Sequence, residues 1–524
     1  MDAPNTQTLL RRFLTRPLPL LLLGALVSLY FSYFRLPFTP IWVGSDQWGW
    51  ICDASRMWGG ERVYRDFFEL TTPGLEVVDV LTFHLFGLKN WIPHVHVILL
   101  GLSTTWLVVV TSRKVIQRGQ FYSLLPGFLF LTFAFLPTMI ESYRWFSSAA
   151  MFAGLAVVME GRTRWRLAVA GALFGLASFF TQTSGVFATL GLITFTVWEW
   201  RKEKSSRREL SQKTAYLLGA FFATVLATNV YFVWQAGMGR FFYSTVAYPL
   251  LYYPADRVHN SWHVYLSEIP HFHPWSHMPL LGRFLFIHAL VPLIYFVFLV
   301  GRWRRAASRE ESARLMLLNI MGLFWFASVA PSPSFLRLCT VSPPALIILV
   351  YWLQNEGRFQ RILTSLLWFA VFGFGVIHPM QVQMRAVSVL RLPRGRVAFS
   401  GIAPLEHDMV QWLSSRTTPG DFFFAPGGVG FLFPLALRPA GETSGYDDTD
   451  ATRPEHVQSA IAALEKYHVK FIQWPPDSTE PRFYRREEDH LGPLKEYVQR
   501  NYHLVKHFDS PAGDEWEEIW ERNP

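Results

Sequence analysis

The 524-residue sequence predicts a mainly α-helical, polytopic membrane bundle of about eleven transmembrane helices, with helices in an outward loop and a small C-terminal α/β domain. Hydrophobic residues make up 51% of the chain and charged residues only 17%, which is more apolar than an ordinary soluble domain. The Lys and Arg residues fall in short clusters between apolar runs. The net charge of +9 therefore indicates membrane topology, and nucleic acid is not expected as a partner.

The apolar runs set the number of predicted crossings, because a helix needs about 20 apolar residues to span the hydrocarbon core. The runs centre near residues 26, 102, 129, 153, 173, 191, 225, 290, 322, 343 and 370. The first run, Leu18 to Phe34, lacks a small-residue cleavage site and is predicted to be a retained span. The runs near 173 and 191 are separated by the polar step Thr181–Gly185, which indicates a tight outward hairpin or a partly re-entrant pair.

The distribution of positive charge predicts the orientation, because Lys and Arg in short loops resist translocation. With the N-terminus inside, the inward loops hold the basic clusters near residues 11–16, 113–118, 162–166, 201–213, 302–309 and 358–361. The loops 36–91, 138–145, 237–280 and 331–337 are poorer in Lys and Arg. We expect these to face the periplasm or lumen, in a multi-pass protein of a bacterial inner (plasma) membrane.

The composition changes after residue 380. We predict a transmembrane catalytic domain at 1–380 and an outward-facing soluble α/β domain at 381–524. The tail pattern predicts helices at 403–416, Arg453–Tyr467 and Leu491–Tyr502, with strands at Asp421–Ala425, Val469–Trp474 and near Leu504–Trp520. The two cysteines, Cys52 and Cys339, offer no zinc-type spacing, and one outward disulfide between them is a minor alternative.

The first outward loop, residues 36–91, is rich in helix and turn signals. Asp46 follows a Gly-Ser step, and Trp50, Ala54 and Met57 recur at helical spacing before Gly59-Gly60 ends the segment. This order places a carboxylate at the start of a helix near the membrane surface.

The same loop continues with Val63-Tyr64-Arg65-Asp66-Phe67, then Pro73-Gly74 and an apolar stretch that ends in Leu85-Phe86-Gly87. In order from Asp46, these residues resemble the first catalytic loop of the GT-C class of glycosyltransferases. The similarity is greatest to the protein O-mannosyltransferase and aminoarabinose transferase branch and to related bacterial mannosyltransferase-like families. Gln47 stands where many relatives have Glu, and Thr72 replaces the first of two prolines, so the subfamily stays open.

A second stretch also resembles the family. Gly171 and Gly175 have the Gly-x-x-x-Gly spacing that allows close helix packing, and Thr181-Gln182-Thr183-Ser184-Gly185 follows. The Lys that many relatives have before the Gln is Thr181 here, which puts a phosphate contact from that Lys in doubt.

The resemblance implies an activity: inverting transfer of a sugar from a polyprenyl-phosphate donor, as in dolichyl-phosphate-mannose-type enzymes, with an Asp general base. The acceptor would be a glycan, lipid or protein on the outer face, and membrane lipids are further partners. Whether the sugar is a hexose or a pentose stays open. Two other classes are alternatives, a transporter or flippase of a lipid-linked saccharide and a non-catalytic subunit of envelope glycan assembly. A transporter predicts charges at mid-span, whereas nearly all charges here lie at span ends.

Three acidic residues are catalytic candidates. Asp46 is the predicted general base, with a helix N-cap as the alternative. Asp66 is the second candidate, with a salt bridge to Arg62 or Arg65 as the alternative. Glu141, third, lies at an outward span edge, where an ordinary interfacial charge is the alternative.

The leaving phosphate needs cations, and Arg337, Arg144 and Arg257 lie at outward positions where they could bind it, with snorkelling to lipid head groups as the alternative. Tyr64 and Gln182 are further substrate-binding candidates from the two motifs. Trp48, like Trp50, is a candidate for stacking on a sugar.

No cofactor is firmly predicted, and a divalent metal ion is the only one considered. The spacing of His271, His273 and His277 could bind such an ion, whereas solvated histidines in an interfacial aromatic loop are the more common alternative.

Overall fold

A computed structural model gives the structure of the protein. It describes residues 17–44, 46–255, 260–267, 278–301, 308–354, 357–401, 404–426, 430–443, 446, 452–474, 490–509 and 516–524. Four of the predicted site residues, Arg257, His271, His273 and His277, lie outside the described residues.

The chain up to Arg385 is mostly helical. Its longer helices are α1 (Pro17–Tyr33), α2 (Gln47–Trp58), α3 (Gly74–Phe86), α4 (Ile92–Ser112), α5 (Gln120–Leu129), α6 (Tyr143–Met159), α7 (Arg164–Phe180), α8 (Gln182–Glu203) and α9 (Arg207–Ala236). The short helices α10 (Met238–Phe242), α11 (Tyr248–Leu251) and α12 (Val264–Ser267) precede α13 (Met278–Gly301), α14 (Arg309–Val329), α15 (Phe335–Val341), α16 (Pro343–Leu353) and α17 (Arg358–Arg385). Single turns at Phe130–Phe135 and Leu136–Thr138 extend α5.

Within the described residues, 6 helices are long and apolar enough to cross a membrane, or 7 when α15 and α16, which are bent by 63° at their junction, count as one span. Every centre predicted from the sequence lies within a helix, the remaining ones in α1, α6, α7 and α8. In the apolar windows of α9 and α17 only 22% and 17% of the residues are buried. These helices therefore expose apolar side chains at the surface of the bundle, as contact with lipid requires. The predicted polytopic helical membrane bundle is confirmed.

The glycines of the second motif bring helices into backbone contact. A Cβ atom added to Gly171 would lie 2.2 Å from the carbonyl oxygen of Leu217 on α9, and one on Gly175 would lie 2.7 Å from that of Phe221. Between α7 and α8 the chain turns at the extended residue Thr181 alone. The connection between the two helices is therefore shorter than the five-residue step Thr181–Gly185 predicted.

Ion pairs gather the basic loops at one end of the bundle. Arg162 Nε lies 2.6 Å from Glu199 Oε1, Arg309 pairs with Glu203 at 3.5 Å, and Lys114 pairs with Glu160. The first loop lies with residues 141–144 at the opposite end. This arrangement has the relative sidedness expected from the charge pattern, and the periplasmic orientation stays a prediction.

The chain beyond α17 contains most of the strands. β1 (Phe34–Arg35) and β2 (Thr39–Pro40) form a small hairpin after α1, and β3 (Ala386–Leu392) pairs antiparallel with β4 (Gly395–Ser400). A five-stranded sheet follows, built from β5 (Phe422–Phe424), β6 (Arg438–Pro439), β7 (Phe471–Gln473), β8 (Tyr502–Asp509) and β9 (Trp516–Arg522). Its order is β6-β5-β7-β9-β8, parallel among the first three strands and antiparallel from β7 onward. The accompanying helices are α18 (Pro404–Ser414), α19 (Leu432–Leu435), α20 (Pro454–Lys466) and α21 (Gly492–Asn501).

The first loop and the C-terminal strands share one apolar core. Trp42 stacks on Phe399 with ring centroids 4.9 Å apart, and Phe433 lies 5.9 Å from Phe83 and 6.3 Å from Trp48. The backbone joins them as well, because Phe68 N donates to Glu442 O at 2.7 Å. The C-terminal region therefore holds the first loop in place.

Candidate functional site

Asp46 lies at the N-cap position of α2, and its side chain is exposed. The backbone at Asp46 is already helical, with φ −54° and ψ −20°, and within the described residues the side chain makes no capping hydrogen bond. The carboxylate is thus free of the capping role that was its alternative function, and it is exposed at the end of the bundle that holds the first loop.

Two contacts connect the start of α2 to the segment that precedes α6. Gln47 Oε1 accepts a hydrogen bond from the Glu141 backbone N–H at 3.1 Å. The Trp50 ring meets the Tyr143 ring edge to face, with centroids 5.0 Å apart. Because Trp50 is one helical turn from Asp46, the candidate base lies close to the N-terminus of α6.

Arg144 and Arg337 bring positive charge to the same end of the bundle. The Arg144 guanidinium lies 5.1 Å from the centroid of the Tyr143 ring, and Arg144 and Tyr143 both lie near enough to interact electrostatically with Arg337. Arg337 is held by hydrogen bonds from Nη1 to Ser332 O at 2.9 Å and from Nη2 to Asn260 Oδ1 at 3.2 Å. Two like charges held close together form a setting that an anion would stabilise.

Glu141 is 0% exposed, unlike the interfacial charge that was its alternative. Its Oε1 atom lies 2.6 Å from His96 Nδ1, and Asp79 Oδ1 lies 3.4 Å from the same nitrogen. Sequence reasoning missed Asp79 and His96. The available signals were an acidic residue on the apolar face of α3 and a histidine one turn into the apolar run of α4, but nothing in the sequence pairs them.

The first loop also buries carboxyl groups. Burial raises the pKa of Asp53 to about 8, an increase that Arg56 opposes and that Glu69 and Glu61 reinforce. Burial likewise raises the pKa of Asp79 to about 7, and Glu141 adds to the shift. Glu76, 1% exposed, has its pKa raised by burial and then by Glu69. These groups lie in an environment that favours protonation or a nearby cation.

Asp66 and Tyr64 serve the local backbone. Asp66 is exposed, accepts a hydrogen bond from Arg62 N at 2.8 Å, and lies 3.7 Å from Arg65 Nε, which is the alternative foreseen for it. Tyr64 has a positive φ of 66°, and its hydroxyl donates to Thr71 O. Together they shape the turn between α2 and α3.

Gln182 and Trp48 are also engaged within the protein. Gln182 Nε2 donates to Leu70 O at 3.1 Å and to Thr245 O at 3.4 Å, so it connects the segment before α3 to the turn between α10 and α11. Trp48 is 0% exposed, and its Nε1 donates to Val43 O at 2.9 Å. Its ring faces are covered by protein, whereas the half-buried Trp50 lies beside Tyr143. Cys52 and Cys339 are both buried free thiols.

The chain forms a helical membrane bundle with α2 and α3 in its first long loop and an α/β unit packed on that loop. Two crystal structures of ArnT from Cupriavidus metallidurans share this fold. The apo structure matches over 96% of this chain and 97% of that chain, with a TM-score of 0.56 and 15% identity. The structure bound to undecaprenyl phosphate matches over 98% of each chain, with a TM-score of 0.58 and 14% identity. No family model matches the sequence, and no curated protein matches it. The resemblance predicted from the first loop is thus confirmed at the level of the fold.

Proposed function

We propose that this protein is a membrane glycosyltransferase that moves a sugar from a polyprenyl-phosphate donor to an acceptor on the outward face. The class of fold supports this proposal, as does the similarity to an ArnT structure bound to undecaprenyl phosphate. Asp46 is the proposed general base, and Arg337 and Arg144 are the proposed phosphate ligands. The sugar is a hexose or a pentose.

The chemistry needs one base and one cationic site. An acceptor hydroxyl or amine attacks the anomeric carbon, a new bond to that carbon forms, and the bond from the carbon to the phosphate oxygen breaks. The proton of the acceptor passes to Asp46, and the phosphate leaves with the bonding electron pair near Arg337 and Arg144. A single displacement of this kind inverts the anomeric centre.

One observation supports the proposal most strongly. The uncapped, exposed carboxylate of Asp46 stands next to Gln47, which is hydrogen-bonded to Glu141 N at 3.1 Å, and α6 then carries Arg144 one turn further on. A base and two cations are thereby held at the same end of the bundle by elements that pack on each other. Effective acid–base catalysis requires positioning of this kind.

Replacement of the proposed base tests this function. We expect Asp46→Asn to lower the rate of sugar transfer by about 100-fold or more, because a positioned general base contributes at least that factor, while the melting temperature stays near the wild-type value. The measurement is transfer of radiolabel from a panel of polyprenyl-phosphate sugars by the purified protein in nanodiscs.

Asp66→Asn is the matched control, because Asp66 is also exposed and also in the first loop but binds its own turn. We expect this variant to keep most of the transfer activity. Full activity of Asp46→Asn, or use of nucleotide sugars in place of every lipid-linked donor, would contradict the proposal.

A further inference from the structure

The cluster of Asp79, His96 and Glu141 has a hydrogen-bonding problem that its own atoms do not solve. Thr82 Oγ1 lies 2.9 Å from Val78 O and 3.0 Å from His96 Nε2, and its one hydrogen can be donated to only one of them. When it is donated to Val78 O, the hydroxyl accepts from His96 Nε2–H, and in neutral imidazole the other nitrogen, Nδ1, has a lone pair and no hydrogen.

In that arrangement the Nδ1 lone pair points at two carboxylates. His96 Nδ1 lies 2.6 Å from Glu141 Oε1 and 3.4 Å from Asp79 Oδ1. Both acids are 0% exposed, so water does not screen the repulsion between their oxygens and the lone pair of the nitrogen. A cation between them, either a proton or a metal ion, removes that repulsion.

The charge and the remaining oxygen atoms distinguish the two solutions. Asp79 Oδ2 and Glu141 Oε2 are buried without a hydrogen-bond partner in the part of the chain that the structure describes. One proton on His96 leaves these oxygens unsatisfied and leaves one net negative charge among further buried acids. A divalent ion neutralises both carboxylates and gives their oxygens a ligand.

We propose that Asp79, His96 and Glu141 bind one divalent transition-metal ion of the zinc type. Their donor atoms lie within 4.8 Å of one another, and in a tetrahedral site with bonds of about 2.0–2.1 Å the ligand atoms are about 3.3 Å apart. Rotation of the two carboxylates would open the pair of His96 and Glu141, which is 2.6 Å apart, and bring the more distant atoms together. The bond from His96 Nε2–H to Thr82 is the outer-sphere contact that orients a metal-binding imidazole.

The ion has a structural consequence at the outward end of the bundle. It joins α3 and α4 to Glu141, whose backbone N–H is bonded to Gln47 next to Asp46. Bound metal therefore fixes the segment before α6 against the start of α2. This inference goes beyond the proposed function and does not depend on it, because it rests on the geometry of three side chains.

Direct binding of zinc tests the proposal. The full-length protein in nanodiscs is stripped with EDTA, dialysed against Zn²⁺, and analysed for bound metal. We expect one zinc per chain, and with Co²⁺ we expect the intense visible absorption of a four-coordinate site. The substitutions His96→Gln and Asp79→Asn should each weaken zinc binding by about 100-fold, because even outer partners of metal ligands are worth about 10- to 100-fold.

Glu76→Gln is the matched control, because Glu76 is a buried carboxylate without a hydrogen-bond partner among the described residues and lies on the same helix, but is not part of the cluster. It should keep the wild-type affinity. Absence of stoichiometric zinc in the wild type, survival of binding in both cluster variants, or equal loss in Glu76→Gln would each overturn the proposal. The wild-type measurement needs no variant to fold, and since no sugar donor is present, its result is independent of the transfer assay.

Discussion

Two aspartates seven residues apart in the first loop have opposite surroundings. Asp46 is exposed at the start of α2, whereas Asp53 is 5% exposed in the middle of the helix, with Arg56 as a cationic neighbour 4.0 Å away. A buried carboxylate resists ionisation, and burial raises the pKa of Asp53. Burial therefore separates a candidate base from a structural acid.

The raised pKa of Asp53 predicts a pH dependence of stability. An unfolded Asp titrates near about 3.9, whereas Asp53 in the folded protein titrates at about 8. Between these values the folded state holds a proton that the unfolded state has lost, so the free energy of unfolding falls as the pH rises from about 4 to about 8. We expect Asp53→Asn to flatten this part of the profile. Melting temperatures of both proteins across that range are the measurement, and parallel profiles would refute the assignment.

At this scale the sequence proposed Asp46, the arginines and Glu141 as site residues, which stays a prediction, and it did not connect Glu141 with Asp79 and His96. Asp46 and the residues around it are neighbours in the sequence, so a sequence motif can identify them. His96 and Glu141 are 45 residues apart, and their contact depends on how α4 packs against the segment before α6. No pattern along the chain encodes that distance.

At the scale of elements, the glycines of α7 set how closely it approaches α9. A Cβ atom added to Gly171 would lie 2.2 Å from Leu217 O, whereas one added to Gly219 on α9 would have no atom of the described residues within 4 Å. A backbone carbonyl cannot retreat as a flexible side chain can. The helix pair must separate or bend if Gly171 gains a methyl group.

We therefore expect Gly171→Ala to destabilise the protein by about 1–3 kcal/mol through overpacking. Gly219→Ala should be neutral or stabilising by up to about 1 kcal/mol, because Ala has less backbone conformational entropy than Gly in the unfolded chain. Thermal unfolding in detergent compares the two. Equal effects from both substitutions would show that contact between the helices is not the cause.

Elements with strong periodicity were predicted well, and those without it were missed. The predicted tail helix Arg453–Tyr467 is observed as Pro454–Lys466, and the strand Val469–Trp474 as Phe471–Gln473. The hairpin of β3 and β4 was not foreseen, because it continues directly from the last apolar helix. The two-residue strand β6 is too short to have a pattern.

At the scale of the molecule, Arg56 joins the first loop to the C-terminal region. Its side chain is 7% exposed, Nε lies 2.8 Å from Glu61 Oε2, and Nη1 donates to Gly441 O at 3.1 Å. The guanidinium also lies 4.4 Å from the centroid of Phe67. Removal of this buried cation is costly, because the carboxylate and the carbonyl that it contacts lose the positive charge that compensates for their burial.

We expect Arg56→Gln to lower the free energy of unfolding by about 3–5 kcal/mol and to increase hydrogen exchange in residues 61–72 and 438–443 together. Arg500→Gln is the control, because its pair with Glu496 is exposed and such pairs contribute about 1 kcal/mol or less. Increased exchange in only one of the two segments would mean that Arg56 does not couple them.

The general architecture could be predicted from the sequence because the apolar runs and the distribution of Lys and Arg determine how a chain inserts into the bilayer. The docking of the C-terminal region on the first loop could not, because Trp42 and Phe399 are far apart in the sequence and no pattern along the chain pairs them. The burial of Trp48 could not be predicted either. The sequence made its ring a candidate for stacking on a sugar, whereas the fold encloses the ring in protein.

The carboxamide of Gln182 makes the two loops that it connects mechanically dependent on each other. A single planar amide supplies the hydrogens bound by Leu70 O and Thr245 O. Displacement of either carbonyl turns that plane and misaligns the other bond. Loss of either bond therefore removes part of the restraint on the other segment, so one side chain couples the positions of Leu70 and Thr245.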